Sequence, residues 1–214
     1  IRIDPTGKAS AMFKAIPSEL TRNSSRYQVA SVTENGRANR LLETITNMGE
    51  SMVVNMAYHA NDPGPGMAFH KDTSTFKMFV GDTGLFVTLA FWDKEFTDNV
   101  IYQKLLTDKL SKDLGYVYEN VVAQMLVASG NELYYHTFPT ESGKHRYEVD
   151  FLIPDGDKVV PIEVKSSGYK AHVSLDAFCT KFSSRVSRPY LIYTKDLRKE
   201  GNLLYLPVYM TMFL

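Results

Sequence analysis

Between positions 147 and 167 the chain reads YEVDFLIPDGDKVVPIEVKSS. This pattern predicts two apolar strands joined by a tight polar turn, with Asp155–Gly156 as the turn pair. The first strand carries Asp150, and the second carries Glu163 and Lys165. Side chains two positions apart leave a strand on the same face. Glu163 and Lys165 therefore project together from a strand otherwise built of Val159, Val160, Ile162 and Val164. Interior strand positions rarely carry acids without a partner. Two carboxylates and an amine on neighbouring strands are the parts needed to hold a divalent cation and stabilise an anionic transition state. That is the chemistry of metal-dependent phosphodiester cleavage. The same groups would also serve as a buried ion-pair network with no catalytic role.

A fourth residue joins them. Glu119 is the only charged residue between Asp113 and Glu132, in the apolar run LGYVYENVVAQMLVASG. On a helix it shares a face with Val122, Ala123 and Leu126. A lone carboxylate there is costly to bury unless a lysine, an arginine or a metal ion offsets it.

The elements that position these residues follow from periodicity. Helical spacing predicts a short apolar helix at TGLFVTLAFW, a charged helix over 101–112 and the apolar helix around Glu119. Strands are expected at ELYYHTF, YEVDFLI, VVPIEVK, PYLIYT and LLYLPVYM, with one helix at 174–182. Together these describe an α/β fold with a mixed sheet flanked by helices over 82–214. Residues 1–81 are expected to form a separate winged-helix-like module. Its last helix covers 36–48, Gly49 caps it, and SMVVNMAYH and FKMFV form the wing. Arg37, Arg40 and Asn47 would share the outer face of that helix, which in a winged helix can read DNA and elsewhere is a solvated or docking surface.

Composition narrows the possibilities. The 214 residues suit one large domain or two small ones, and 44% hydrophobic content supplies a core. Lysine and arginine, 24 together, balance 24 aspartates and glutamates, so net charge alone does not point to nucleic acid. The distribution is uneven. Residues 82–164 are strongly acidic, whereas 165–199 hold Lys165, Lys170, Lys181, Arg185, Arg188, Lys195, Arg198 and Lys199 against Asp176 and Asp196. Within that segment Lys170, Lys181, Arg185 and Arg188 are candidates to lead a phosphate backbone toward a metal, or else form a solvated face. The single Cys179 excludes an intramolecular disulfide and fits a reducing, cytoplasmic setting. No apolar run approaches the roughly 20 residues needed to cross a bilayer, so no membrane partner is expected. The five histidines show no metal-ligand spacing.

The order helix Glu119, strand Asp150, strand Glu163-x-Lys165 resembles the PD-(D/E)xK nuclease superfamily, the restriction-endonuclease-like fold, with Val149 in place of the proline. That resemblance implies a catalytic group of Asp150, Glu163, Lys165 and Glu119. It further implies Mg²⁺ or Mn²⁺ held by Asp150, Glu163 and Glu119, and DNA as substrate. The stretches IPSEL, FKMFVGDTGL, GYVYENVVAQ, YEVDFLI and PIEVKSS also resemble a C-terminal domain of unknown function found in bacterial and archaeal AAA-type ATP-binding proteins. The resemblance implies that ATP binds only in an upstream ATPase domain of the same protein, since the chain begins at Ile1 and is read as a fragment. PTGKAS has Gly7 and Lys8, but Arg2 stands at the first glycine position of a phosphate-binding loop and Ala9 follows the lysine. The alternatives to a nuclease are a non-catalytic module that binds nucleic acid or protein under control of the ATPase, and an assembly platform for ATPase subunits.

Overall fold

A computed structural model describes residues 7–22, 26–28, 41–90 and 115–214, with backbone only at Leu42. The elements are α1 (Lys8–Thr21), α2 (Leu42–Glu50), β1 (Val54–Ala60), β2 (Lys71–Val80), α3 (Thr83–Ala90), α4 (Gly115–Ala128), β3 (Leu133–Pro139), β4 (Arg146–Asp155), β5 (Lys158–Lys165), α5 (Val173–Lys181), β6 (Tyr190–Tyr193), β7 (Arg198–Glu200) and β8 (Leu203–Pro207). A 3₁₀ turn, Val208–Phe213, follows. The expected helix at 101–112, Trp92, Arg37 and Arg40 lie outside the described residues. Among the described residues no helix is long and apolar enough to cross a membrane.

The strands form one mixed sheet in the order β2-β1-β3-β4-β5-β6-β8-β7. The boundary expected near residue 81 does not divide it. The supposed wing, β1 and β2, continues the sheet because β1 lies parallel to β3, with Ala57 opposite Leu133 and His59 opposite Tyr135. Both strands are too apolar to stand alone: Val54, Ala57 and Ala60 of β1 and Phe76, Met78, Phe79 and Val80 of β2 are all buried. Pairing with β3 satisfies a backbone edge that an isolated hairpin would leave open.

Smaller expectations also shift. The second helix runs through Gly49 to Glu50, and Ser51 closes it by donating its backbone N–H to Asn47 and Met48 carbonyls. β7, with the sequence RKE, is absent from the expected strands; it is an exposed edge strand on β8, where charge deters further pairing. The β4–β5 hairpin forms, but its two-residue turn is Gly156–Asp157, one residue beyond the expected Asp155–Gly156, because Asp155 pairs with Lys158 and Gly156 takes the left-handed φ of 61.

Helices cover the sheet on both faces. Val122, Ala123 and Leu126 of α4 pack on Phe79, Leu133, Tyr135, Phe151 and Ile162. Phe178 of α5 packs with Tyr134, Phe138, Val149 and Leu152. A third cluster joins Met12 and Ile16 of α1 to Ile45, Phe76, Met78 and Phe86. Apolar burial of this extent, at about 25 cal/mol per Å², is the main force holding the layers together.

Candidate active site

One polar link fixes the helix that carries Glu119. The next residue, Asn120, is fully buried. Its Oδ1 accepts from the Val80 N–H at 2.8 Å and its Nδ2 donates to the Val80 carbonyl at 3.0 Å. The amide thus replaces a strand partner at the end of β2 and locks α4 to it. Gln124, one turn on, accepts from the Thr83 N–H and hydroxyl. Gly81 turns the chain between them, and a Cβ there would stand 2.6 Å from the Met52 carbonyl oxygen.

A local irregularity places Asp150. Between the rungs Tyr134–Leu152 and His136–Val149, β4 spends one residue more than β3. Asp150 and Phe151 therefore stand together opposite Tyr135. Such bulges re-aim a side chain out of strict alternation. Asp150 Oδ2 is held there by the Val164 N–H at 2.8 Å.

The result is a cleft of about 480 Å³ lined by Leu20, Lys77, Glu119, Thr137, Arg146, Glu148, Asp150, Glu163, Val164, Lys165 and Ser174. All four residues singled out from sequence, Glu119, Asp150, Glu163 and Lys165, reach it. Sequence reasoning missed Lys77, Arg146 and Glu148. Lys77 was assigned to a separate module, and Arg146 and Glu148 were not singled out. The four basic residues expected to guide a phosphate backbone do not line the cleft. Lys170 and Arg188 are exposed elsewhere, Lys181 lies over the Phe138 and Phe182 rings, and Arg185 pairs with Asp62.

Charge in the cleft is unbalanced. Among the described residues, four carboxylates (Glu119, Glu148, Asp150, Glu163) face three cations (Lys77, Arg146, Lys165). Lys165 Nζ contacts Glu163 Oε1 at 2.6 Å, and Lys77 pairs with Glu148. Arg146 is tied to Thr137 through its carbonyl at 2.8 Å and its hydroxyl. Burial, then the negative charge of Asp150, pushes Glu119 up to about 7 and Glu163 up to about 8. Burial raises Asp150 as well, against the pull of Lys77. For Lys77, burial favours the neutral amine, but Glu148, Glu119 and Asp150 outweigh it and hold the ammonium above its ordinary range. Glu163 Oε2 is buried with no hydrogen-bond partner.

Whether a divalent cation fits can be judged from this donor set. The ligands on offer are all oxygen, they carry one negative charge in excess, and one carboxylate oxygen is buried and unsatisfied. Those are the preferences of Mg²⁺ or Mn²⁺. Among the described residues no three acids, histidines or cysteines are grouped closely enough to ligate an ion as they stand, while lysines hold Glu163 and Glu148. The residues fit such an ion in kind and in charge, and binding requires the lysines to let go.

Comparison with known families addresses this same part of the chain. Residues 114–210 match the family model of a domain of unknown function, DUF4143. No curated protein and no solved structure matches the chain. The DUF4143 span holds Glu119, Arg146, Glu148, Asp150, Glu163 and Lys165, and leaves Leu20 and Lys77 outside.

Proposed function

We propose that this protein is a divalent-cation-dependent phosphodiesterase of the PD-(D/E)xK kind, acting on DNA, in the C-terminal part of an AAA-type ATP-binding protein. The observation that carries this reading is the convergence of three acids and an amine, from α4, β4 and β5, on one cleft whose carboxylates exceed its cations. The run α4-β3-β4-β5-α5-β6, antiparallel through β3, β4 and β5 and parallel from β5 to β6, supports a restriction-endonuclease-like core. In this reading Asp150, Glu163 and Glu119 hold Mg²⁺ or Mn²⁺. When bound, the ion supplies an acidified water and neutralises charge on the phosphate.

The chain's own residues do the rest. The Val164 N–H keeps Asp150 aimed into the cleft. Lys165, about 30% exposed, has room to swing from Glu163 to a phosphate oxygen. There it donates to the oxygen that gains charge in the transition state. Arg146, exposed at the rim and braced by Thr137, attracts the polyanion. Lys170 and Arg188 are left for backbone contacts beyond the cleft.

A second reading has its own observation. The lysine–carboxylate pairs already in place, Lys165 with Glu163 and Lys77 with Glu148, favour a non-catalytic module that binds nucleic acid or protein under the upstream ATPase. Incubating the chain with plasmid DNA, single-stranded DNA and RNA in Mn²⁺ separates the two. The enzyme reading expects cleavage that Asp150→Asn and Lys165→Ala each reduce by about 100-fold or more. Equal residual cleavage in all three proteins would reject it.

A further inference from the structure

Lys77 differs from every other charged group in the cleft in its origin. It belongs to β2, two strands away from β3 and outside the DUF4143 span. Lys77 stands opposite Ala57 on β1, and its ammonium lies 5.3 Å from the centroid of the Tyr135 ring and pairs with Glu148 of β4. Only about 5% of Lys77 is exposed. The end of β2 is fixed by Asn120, whose helix carries Glu119. A buried ammonium in this position is an uncommon arrangement, since lysine is seldom buried unless paired.

Charge arithmetic indicates what it is for. Among the described residues, with every lining group ionised, four carboxylates and three cations leave the cleft at one negative charge. A bound divalent cation converts that to one positive charge, which a single phosphodiester, carrying one negative charge, neutralises. Without Lys77 the metal-loaded cleft would already be neutral, and the phosphodiester would bring it an unmatched charge. We infer that Lys77 is a substrate-phosphate ligand: it rests on Glu148 as an internal counter-ion in the empty cleft and turns to a non-bridging oxygen of the phosphodiester once a metal ion takes the acids. This inference rests on the phosphodiesterase reading. It makes the N-terminal hairpin part of the site, so that the DUF4143 span alone is incomplete, and it sets the ligand class as an anionic phosphodiester.

The test uses the full 214-residue chain, Mn²⁺ and two oligothymidylates, one with phosphodiester links and one with uncharged methylphosphonate links. Lys77→Met leaves Glu148 half-buried and unpaired and risks misfolding; Lys77→Met/Glu148→Gln removes both charges, leaves the net charge of the cleft unchanged, and so tests the direct contact of Lys77 with the phosphate apart from net charge. Lys77→Arg is the rescue. The wild type is expected to bind the charged oligomer at least tenfold more tightly than the uncharged one. The double variant should still bind Mn²⁺ but lose that preference, and Lys77→Arg should retain most of it. A merely structural lysine would change binding of both oligomers alike. A double variant that binds Mn²⁺ and keeps the wild-type preference overturns the role of Lys77 and leaves the phosphodiesterase reading standing. A wild-type chain that binds no oligothymidylate removes both.

Discussion

Two regions of this molecule bury titratable side chains against the same sheet, and they treat them in opposite ways. Around His136 every demand is met. Its Nδ1 bonds the Ala60 carbonyl at 2.7 Å, and Phe138, Phe178 and Phe182 surround the ring at 5.5–6.0 Å. Burial holds its pKa down to about 4, so it is neutral and structural. In the acidic cleft the demands are left unmet. Carboxylates outnumber cations, Glu163 Oε2 has no partner, and two acids are pushed up to about 7 and 8. Satisfied burial is what a fold needs for stability. Surplus like charge, held in place by a bulge and a backbone N–H, stabilises nothing by itself, and in the proposed function it is what a bound cation offsets.

That contrast can be broken at several points. Phe178→Ala, which empties the ring cluster, is expected to cost about 3–5 kcal/mol, read as a shift in the denaturant midpoint. The mutually repelling cleft carboxylates should behave in the opposite sense: Glu163→Gln should leave the metal-free chain as stable as the wild type or more so. A large destabilisation there would mean that the Lys165 pair is a structural bond. Breaking the Lys77–Glu148 pair from one side, with Lys77→Met, should cost roughly 2–3 kcal/mol, less than a fully buried pair because Glu148 is partly exposed.

The pH dependence separates the two regions more finely. An acid whose folded pKa is raised binds more protons in the native state than in the unfolded one. Stability then falls as pH rises from its unfolded value toward its folded one. For Glu119 and Glu163 that window runs from about 4.5 to about 7 and 8. His136 acts inversely: its folded pKa is lowered from 6.5 to about 4, so stability is lost as pH falls through that range. Between pH 6.5 and 8 the carboxylates act alone, and the metal-free chain should melt at a lower temperature as pH rises. Glu163→Gln should flatten that slope. The smallest effect belongs to the surface: Arg185→Ala, which removes the exposed pair with Asp62, should change stability by less than about 0.5 kcal/mol.

What the sequence made legible follows the same division. Asp150, Glu163, Lys165 and Glu119 were readable because an acid inside an apolar strand or helix has few explanations, and each had to find a partner. Seven of the eight strands were readable from apolar runs; RKE was not, because an edge strand held by one neighbour needs no apolar face. Lys77 was hidden for a topological reason. Nothing in FKMFV shows that its strand joins a sheet completed more than a hundred residues later, or that Lys77 pairs with Glu148. The bulge at Asp150 was hidden too, since it appears only as a mismatch between β3 and β4. The basic run after Lys165 was legible as charge, but charge alone does not say which way a side chain turns, and Arg185 turns to Asp62.

If the cleft's excess carboxylates hold a divalent cation, calorimetric titration of Mn²⁺ into the chain near pH 7, in two buffers of different ionisation enthalpy, will show it. One ion should bind per chain, with protons released as Glu119 and Glu163 ionise, and Asp150→Asn should abolish that binding. No uptake of the ion, or uptake that Asp150→Asn leaves unchanged, would contradict this reading.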